Sequence, residues 1–129
     1  MKCVEYKIVN SFEEAISKRG IFFEVLILSN NGYGVRRRLM TAKYQNHDRK
    51  YLTVTIYDKW GRWLNDFSIY VKRDNDQDND VKNNVLHYYG GMLTTSRDYA
   101  YTYVMGVLKN KMADLRRKAN QLHETVYSI

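Results

Sequence analysis

Residues 51–57 read YLTVTIY, and their strict alternation decides the fold. Leu52, Val54 and Ile56 fall on one side of an extended chain, and Tyr51, Thr53, Thr55 and Tyr57 fall on the other. A period of two, rich in β-branched and aromatic residues, is the pattern of a strand with one face on a core and the other toward water. Polar turns bound it at 45–49 and 58–61, so the neighbouring strands are expected to return antiparallel.

Working outward, 35–44 and 62–72 supply those neighbours, the second with Trp63, Phe67, Ile69 and Val71 on its apolar face. Asn30, Asn31, Gly32 and Gly34 tolerate positive φ and mark the reversal before residue 35. IFFEVLIL, 21–28, has one polar interruption and reads as a central strand buried on both faces. Ser11 and Glu14 form the S-x-x-E pattern of a capping box, so a helix is expected from Phe12 to about residue 19, with Gly20 ending it. KCVEYKIV, 2–9, alternates and predicts a first strand that contains Cys3 as a structural residue.

DNDQDND, 74–80, has no apolar residue and reads as a solvated linker. Its D-x-D-x-D spacing opens like a calcium loop. The glycine such a loop needs at its sixth position is Asn79, and the glutamate at its twelfth is Val85. A short helix is predicted over 81–89, stopped by Gly90 and Gly91, and a long helix over 96–126 capped by Ser96 or Thr95. The predicted class is therefore α+β: an N-terminal strand and short helix, an antiparallel β-meander, and a long C-terminal helix packed on one sheet face. Residues 1–129 make a single domain, with a sheet portion 1–73, an acidic linker 74–80 and a helical portion 81–129.

Twenty-one Lys and Arg against fourteen Asp and Glu give a formal charge of +7, which favours polyanionic partners, nucleic acid or an acidic protein surface. The longest apolar run is far below the roughly 18 residues of a membrane span, and no signal-peptide pattern opens the chain. With a single cysteine, these features predict a cytoplasmic protein in a reducing compartment. The absence of proline and the wealth of Asn, Lys and Tyr suggest an AT-rich gene of the kind carried by phages and plasmids.

No catalytic motif is found, and neither a cofactor nor a metal is expected. His47, His87 and His123 lie in separate segments without the paired spacing of metal ligands. Asp66 followed by IYVKRD resembles a nuclease hairpin, but Tyr70 stands where a second carboxylate would hold magnesium. Gly32-Tyr33-Gly34 begins like an RNA-recognition signature, which Val35 and Arg36 break. Gly34 precedes a strand, so the loop lacks the helix N-terminus that makes a phosphate cradle.

Two surfaces remain. If Leu52, Val54 and Ile56 face the core, the outer face is expected to carry Arg36, Arg38, Tyr51, Tyr57, Tyr70 and Lys72, with Arg37 pointing the other way alongside Val35 and Leu39. Cations for phosphates interleaved with rings for bases is the composition of a single-strand-binding platform, and this is the leading expectation. A curved antiparallel sheet followed by a long helix resembles, in topology only, the Whirly-type single-strand-binding proteins, which implies the same function.

The second surface is the long helix. Tyr101, Met105, Leu108, Met112, Leu115, Ala119, Leu122 and Val126 are spaced 4, 3, 4, 3, 4, 3, 4, a heptad seam. Lys109, Arg116 and His123 flank it on one side and Lys111, Lys118 and Thr125 on the other. Like charges would meet in either homodimer orientation, so a free-standing zipper is disfavoured. The seam is expected to lie on the sheet, with Gly106 marking a kink or a close backbone approach. The alternative function is a protein-interaction module or inhibitor that sets Lys109, Lys111, Arg116 and Lys118 against an acidic partner.

Overall fold

The computed structural model describes residues 2–18, 20–29, 34–45, 51–71 and 84–127. It is an α+β arrangement of a short helix, six antiparallel strands and a long C-terminal helix. Helix α1 spans Phe12–Ser17, and the strands are β1 Phe23–Ser29, β2 Val35–Gln45, β3 Tyr51–Tyr57, β4 Trp63–Tyr70, β5 Val85–Tyr88 and β6 Gly91–Thr94. Helix α2 spans Arg97–Tyr127. The sheet order is β4-β3-β2-β1-β6-β5.

The meander read from the sequence is therefore the four-strand part from β4 to β1, and β1 is central as expected. Of the helix predicted over 81–89, residues 81–83 lie outside the described residues, and the β5–β6 hairpin corrects the remainder. A two-residue turn, Tyr89-Gly90, joins strands whose ends pair as Tyr88 with Gly91. Gly91 has a φ of 151°, and a Cβ there would lie 2.0 Å from the Leu28 carbonyl oxygen. Only glycine lets β6 approach β1 so closely.

The sheet curls until its two ends meet: the rings of Phe67 on β4 and Tyr88 on β5 stack at 4.9 Å. Its inner face is the core, built from Val25, Met40, Leu52, Val54, Ile56, Ile69, Leu86 and Leu93. Helix α1 plugs one end with Phe12 and Ala15, and Phe12 meets Phe23 edge-on at 6.2 Å. Ser11 caps this helix by accepting from the Glu14 N–H at 3.1 Å. The Glu14 carboxylate reaches one residue further back than a capping box requires, accepting from the Asn10 N–H at 2.8 Å. That bond and Lys18 hold its carboxyl below the usual range.

Residues 2–9 do not form the predicted strand. They carry one parallel bridge, Lys7 to Phe23, with Val9 buried in the core, and Cys3 is exposed rather than packed. The alternation there was real, but β1 already pairs with β2 and β6 along its length, leaving only its first residues to bridge. The acidic segment 74–80, the turn at 30–33 and Lys72 lie outside the described residues.

Candidate interaction surfaces

Register settles which side chains share a face. Leu39 pairs with Tyr57 and Met40 with Ile56, so the outer face carries Val35, Arg37 and Leu39. Arg36, Arg38 and Met40 lie on the inner side, opposite Ile27, Val25 and Phe23. The expected placement of Arg36 and Arg38 beside the tyrosines is thus corrected. The alternation of Arg36 and Arg38 against Leu39 holds, but Leu39 is buried on the outer face near Tyr57, so its burial does not mark the core side.

Tyr51, Tyr57 and Tyr70 do share the outer face. Tyr51 and Tyr70, 40% and 42% exposed, meet edge-on at 5.5 Å. Tyr57 is half-buried, with its ring against Phe22 at 4.9 Å and its hydroxyl 3.3 Å from that of Thr41. Arg36 instead lies near Tyr88: burial raises the Tyr88 phenol above its usual value, and the Arg36 charge works in the opposite direction. The tyrosines therefore lack the arginine pair that would have made them a phosphate-and-base platform. Trp63 adds to this face because a register shift between Ile56 and Tyr57 turns it away from the core, where it donates to Asp66.

Arg37, on the outer face with Val35 and Leu39, has a carboxylate partner. Its Nε lies 2.6 Å from Oε1 of Glu24, and Arg97 at the start of α2 donates to both oxygens of that carboxylate at 3.0 and 3.1 Å. Arg37 also donates to the Tyr6 hydroxyl. Glu24 is 6% exposed and is the one acid inside IFFEVLIL, so two guanidinium groups satisfy a charge that would otherwise be costly to bury. The sequence reading passed over it. Its signal was a lone carboxylate in an apolar strand beside a strand bearing three arginines.

These three residues hold the root of α2 against the sheet. Ala100 and Tyr103 join Leu26, Leu28, Met92 and Val85 in a second apolar cluster on the outer face of β1 and β6. Ser96 caps the helix, accepting from the Tyr99 N–H at 3.1 Å. An open groove of about 380 Å³ lies at this root, walled by Leu26, Val35, Ala100, Tyr101 and Val104, with Glu24, Arg37 and Arg97 at its side.

Beyond the root, α2 leaves the sheet. From Lys109 to Val126 every residue is exposed except half-buried Asp114. The expectation that the heptad seam packs on the sheet is corrected: the root docks through Ala100 and Tyr103, which lie off the seam, and Tyr101, the seam's first member, is 69% exposed. Met112, Leu115, Leu122 and Val126 are 61%, 57%, 66% and 55% exposed. At 1.5 Å per residue the overhang reaches about 28 Å. The helix runs unbroken through Gly106, and a Cβ there would meet nothing within 4 Å, so neither a kink nor a close approach explains that glycine.

Along the overhang, Lys118 at 3.2 Å and Arg117 engage Asp114, and Lys118 above all holds the carboxyl below its usual range. Lys109, Lys111, Arg116 and Lys118 are all exposed, beside the seam. An apolar stripe of this length, uncovered by the described residues and edged by cations, is a surface suited to a partner. Among the described residues, no helix is long and apolar enough to cross a membrane, and no three His, Cys, Asp or Glu group to hold a metal ion. No protein-family model, curated protein or solved structure matches the chain, so the topological resemblance to Whirly-type proteins has no structural match beside it.

Proposed function

We propose that this is a non-enzymatic protein-interaction module that presents the overhang of α2 to a partner. One observation carries the reading: the heptad seam continues through about five exposed turns, residues 109–126, with Met112, Leu115, Leu122 and Val126 in water. A docked root supports such a helix, because the costly nucleating turn is already formed at Arg97 to Tyr103 and only propagation remains. Full burial of a Leu, Met or Val side chain contributes about 1.5–3 kcal/mol, so four of them offset a large share of the cost of association. Occupying a partner's helix-binding surface is also how a small inhibitor of a host complex would act.

The seam variant Leu115→Asp/Leu122→Asp tests the reading. The parent chain should retain a protein from host extract after nuclease treatment, and the variant should lose it. Retention by both, or loss on nuclease treatment, contradicts the proposal.

The nucleic-acid reading keeps the net charge of +7 and the exposed tyrosines but loses Arg36 and Arg38 from their face. Mobility shifts at two salt concentrations separate the two readings. Binding that is absent even at low salt removes the nucleic-acid reading, because phosphate-driven affinity is strongest there.

A further inference from the structure

The flanks of the exposed seam carry one sign of charge. Lys109 and Arg116 lie on one side and Lys111 and Lys118 on the other, while Asp114, which Arg117 and Lys118 engage, sits outside both flanks. The stripe is also narrow. Over residues 108–126 it keeps to the a and d positions of a heptad apart from Ala113, the geometry of a coiled-coil seam and not of the wide apolar face that beds into a lipid surface.

Resting on the reading of α2 as a docking helix, we propose that its partner is an acidic amphipathic helix. That helix lays its apolar stripe on Met112, Leu115, Leu122 and Val126 and sets glutamate or aspartate against Lys109, Lys111, Arg116 and Lys118.

Charge complementarity selects this occupant over a second copy of the chain. In a parallel pair of copies, Lys111 of each would face Arg116 of the other. In an antiparallel pair, Lys109 and Arg116 would meet their own kind on one side, and Lys111 and Lys118 theirs on the other. Both arrangements bury the same apolar atoms as an acidic partner does, so the flanks decide between them. A nucleic acid would satisfy the cations and leave the apolar stripe in water.

The test uses the full chain and two designed peptides of about three heptads, with the same leucine seam and either glutamate or lysine at the flanking positions. Fluorescence anisotropy should show the glutamate peptide binding on the order of a hundredfold more tightly at low salt, four attractive pairs replacing four repulsive ones. High salt should shrink that preference. The variant Lys109→Glu/Lys111→Glu/Arg116→Glu/Lys118→Glu, with its helicity checked by circular dichroism, should prefer the lysine peptide.

Equal binding of the two peptides overturns the proposal. So does a chain that dimerises through the seam in sedimentation, or one that binds only anionic vesicles. In those cases the docking role of α2 survives and its partner class changes. Failure of every arm, with Leu115→Asp/Leu122→Asp behaving as the parent, removes the docking reading as well.

Discussion

Strand β3 and the far half of α2 carry apolar stripes of comparable regularity, and the molecule treats them oppositely. Leu52, Val54 and Ile56 vanish into the core, whereas Met112, Leu115 and Leu122 stand in water. The period of two and the spacing of 4 and 3 each say that one face is apolar. Neither says what covers it. For β3 the answer lies within the chain, because the curl of the sheet and the plug of α1 enclose that face. For α2 the cover ends by Leu108, and the remaining stripe has its flanking charges to indicate what it meets.

Two glycines sharpen the contrast through one substitution. Gly91→Ala should be the most damaging change considered, costing roughly 3–5 kcal/mol, since it sets a Cβ against the Leu28 carbonyl at a φ of 151°. Denaturant unfolding measures it, and a cost under about 1 kcal/mol would mean that β6 does not approach β1 as described.

Glu24→Gln comes next, because it tests the joint between the two regions. Removing the buried carboxylate leaves Arg37 and Arg97 facing a neutral amide, at a cost of about 1–2 kcal/mol. Hydrogen exchange should show the opening concentrated at the start of α2, and protection unchanged there would remove the joint.

Gly106→Ala should act in the opposite direction from Gly91→Ala. A Cβ meets nothing there, so the substitution should favour the helix by about 1 kcal/mol. The gain should appear as helicity of α2 by circular dichroism more than as global stability. A loss of stability would mean that a backbone or side chain approaches Gly106 after all.

The smallest effect concerns the seam where the sheet closes on itself. Burial raises the Tyr88 phenol above the ordinary tyrosine value, so the fold favours its neutral form. That contribution is complete below the ordinary value near 10 and is lost as pH rises through the folded one. In an ultraviolet titration, Tyr88→Phe should remove a late-titrating phenol, and loss of an ordinary one would contradict this. Arg36→Gln should delay the titration of Tyr88 further, since the Arg36 charge lowers it.

Much of this was legible in the sequence, and the misses share a physical cause. The bounds of β3, the cap at Ser11 and the uninterrupted α2 follow from local pattern. The β5–β6 hairpin was missed because four-residue strands are too short to separate a period of two from 3.6. Its Gly90-Gly91 pair, between runs that include Val85, Leu86, Met92 and Leu93, was the better signal. Arg36 and Arg38 were misplaced because Leu39 is buried on the outer face, so a buried apolar residue no longer identified the core side. Trp63 was misplaced by a register shift that alternation cannot show. Glu24 depends on Arg97, 73 residues away, and no local pattern announces such a pair.

The central claim is that the seam of α2 serves something outside the chain and contributes nothing to the fold. Thermal unfolding of Leu115→Asp/Leu122→Asp beside the parent, at two protein concentrations, tests it most directly, with Leu93→Ala as the yardstick. Leu93 is fully buried, and its truncation should cost about 2–5 kcal/mol, a drop in Tm of roughly 10 °C. The account predicts that the seam variant melts within about 2 °C of the parent at both concentrations. A fall comparable to that of Leu93→Ala would show that the chain itself covers the seam, and would contradict the account.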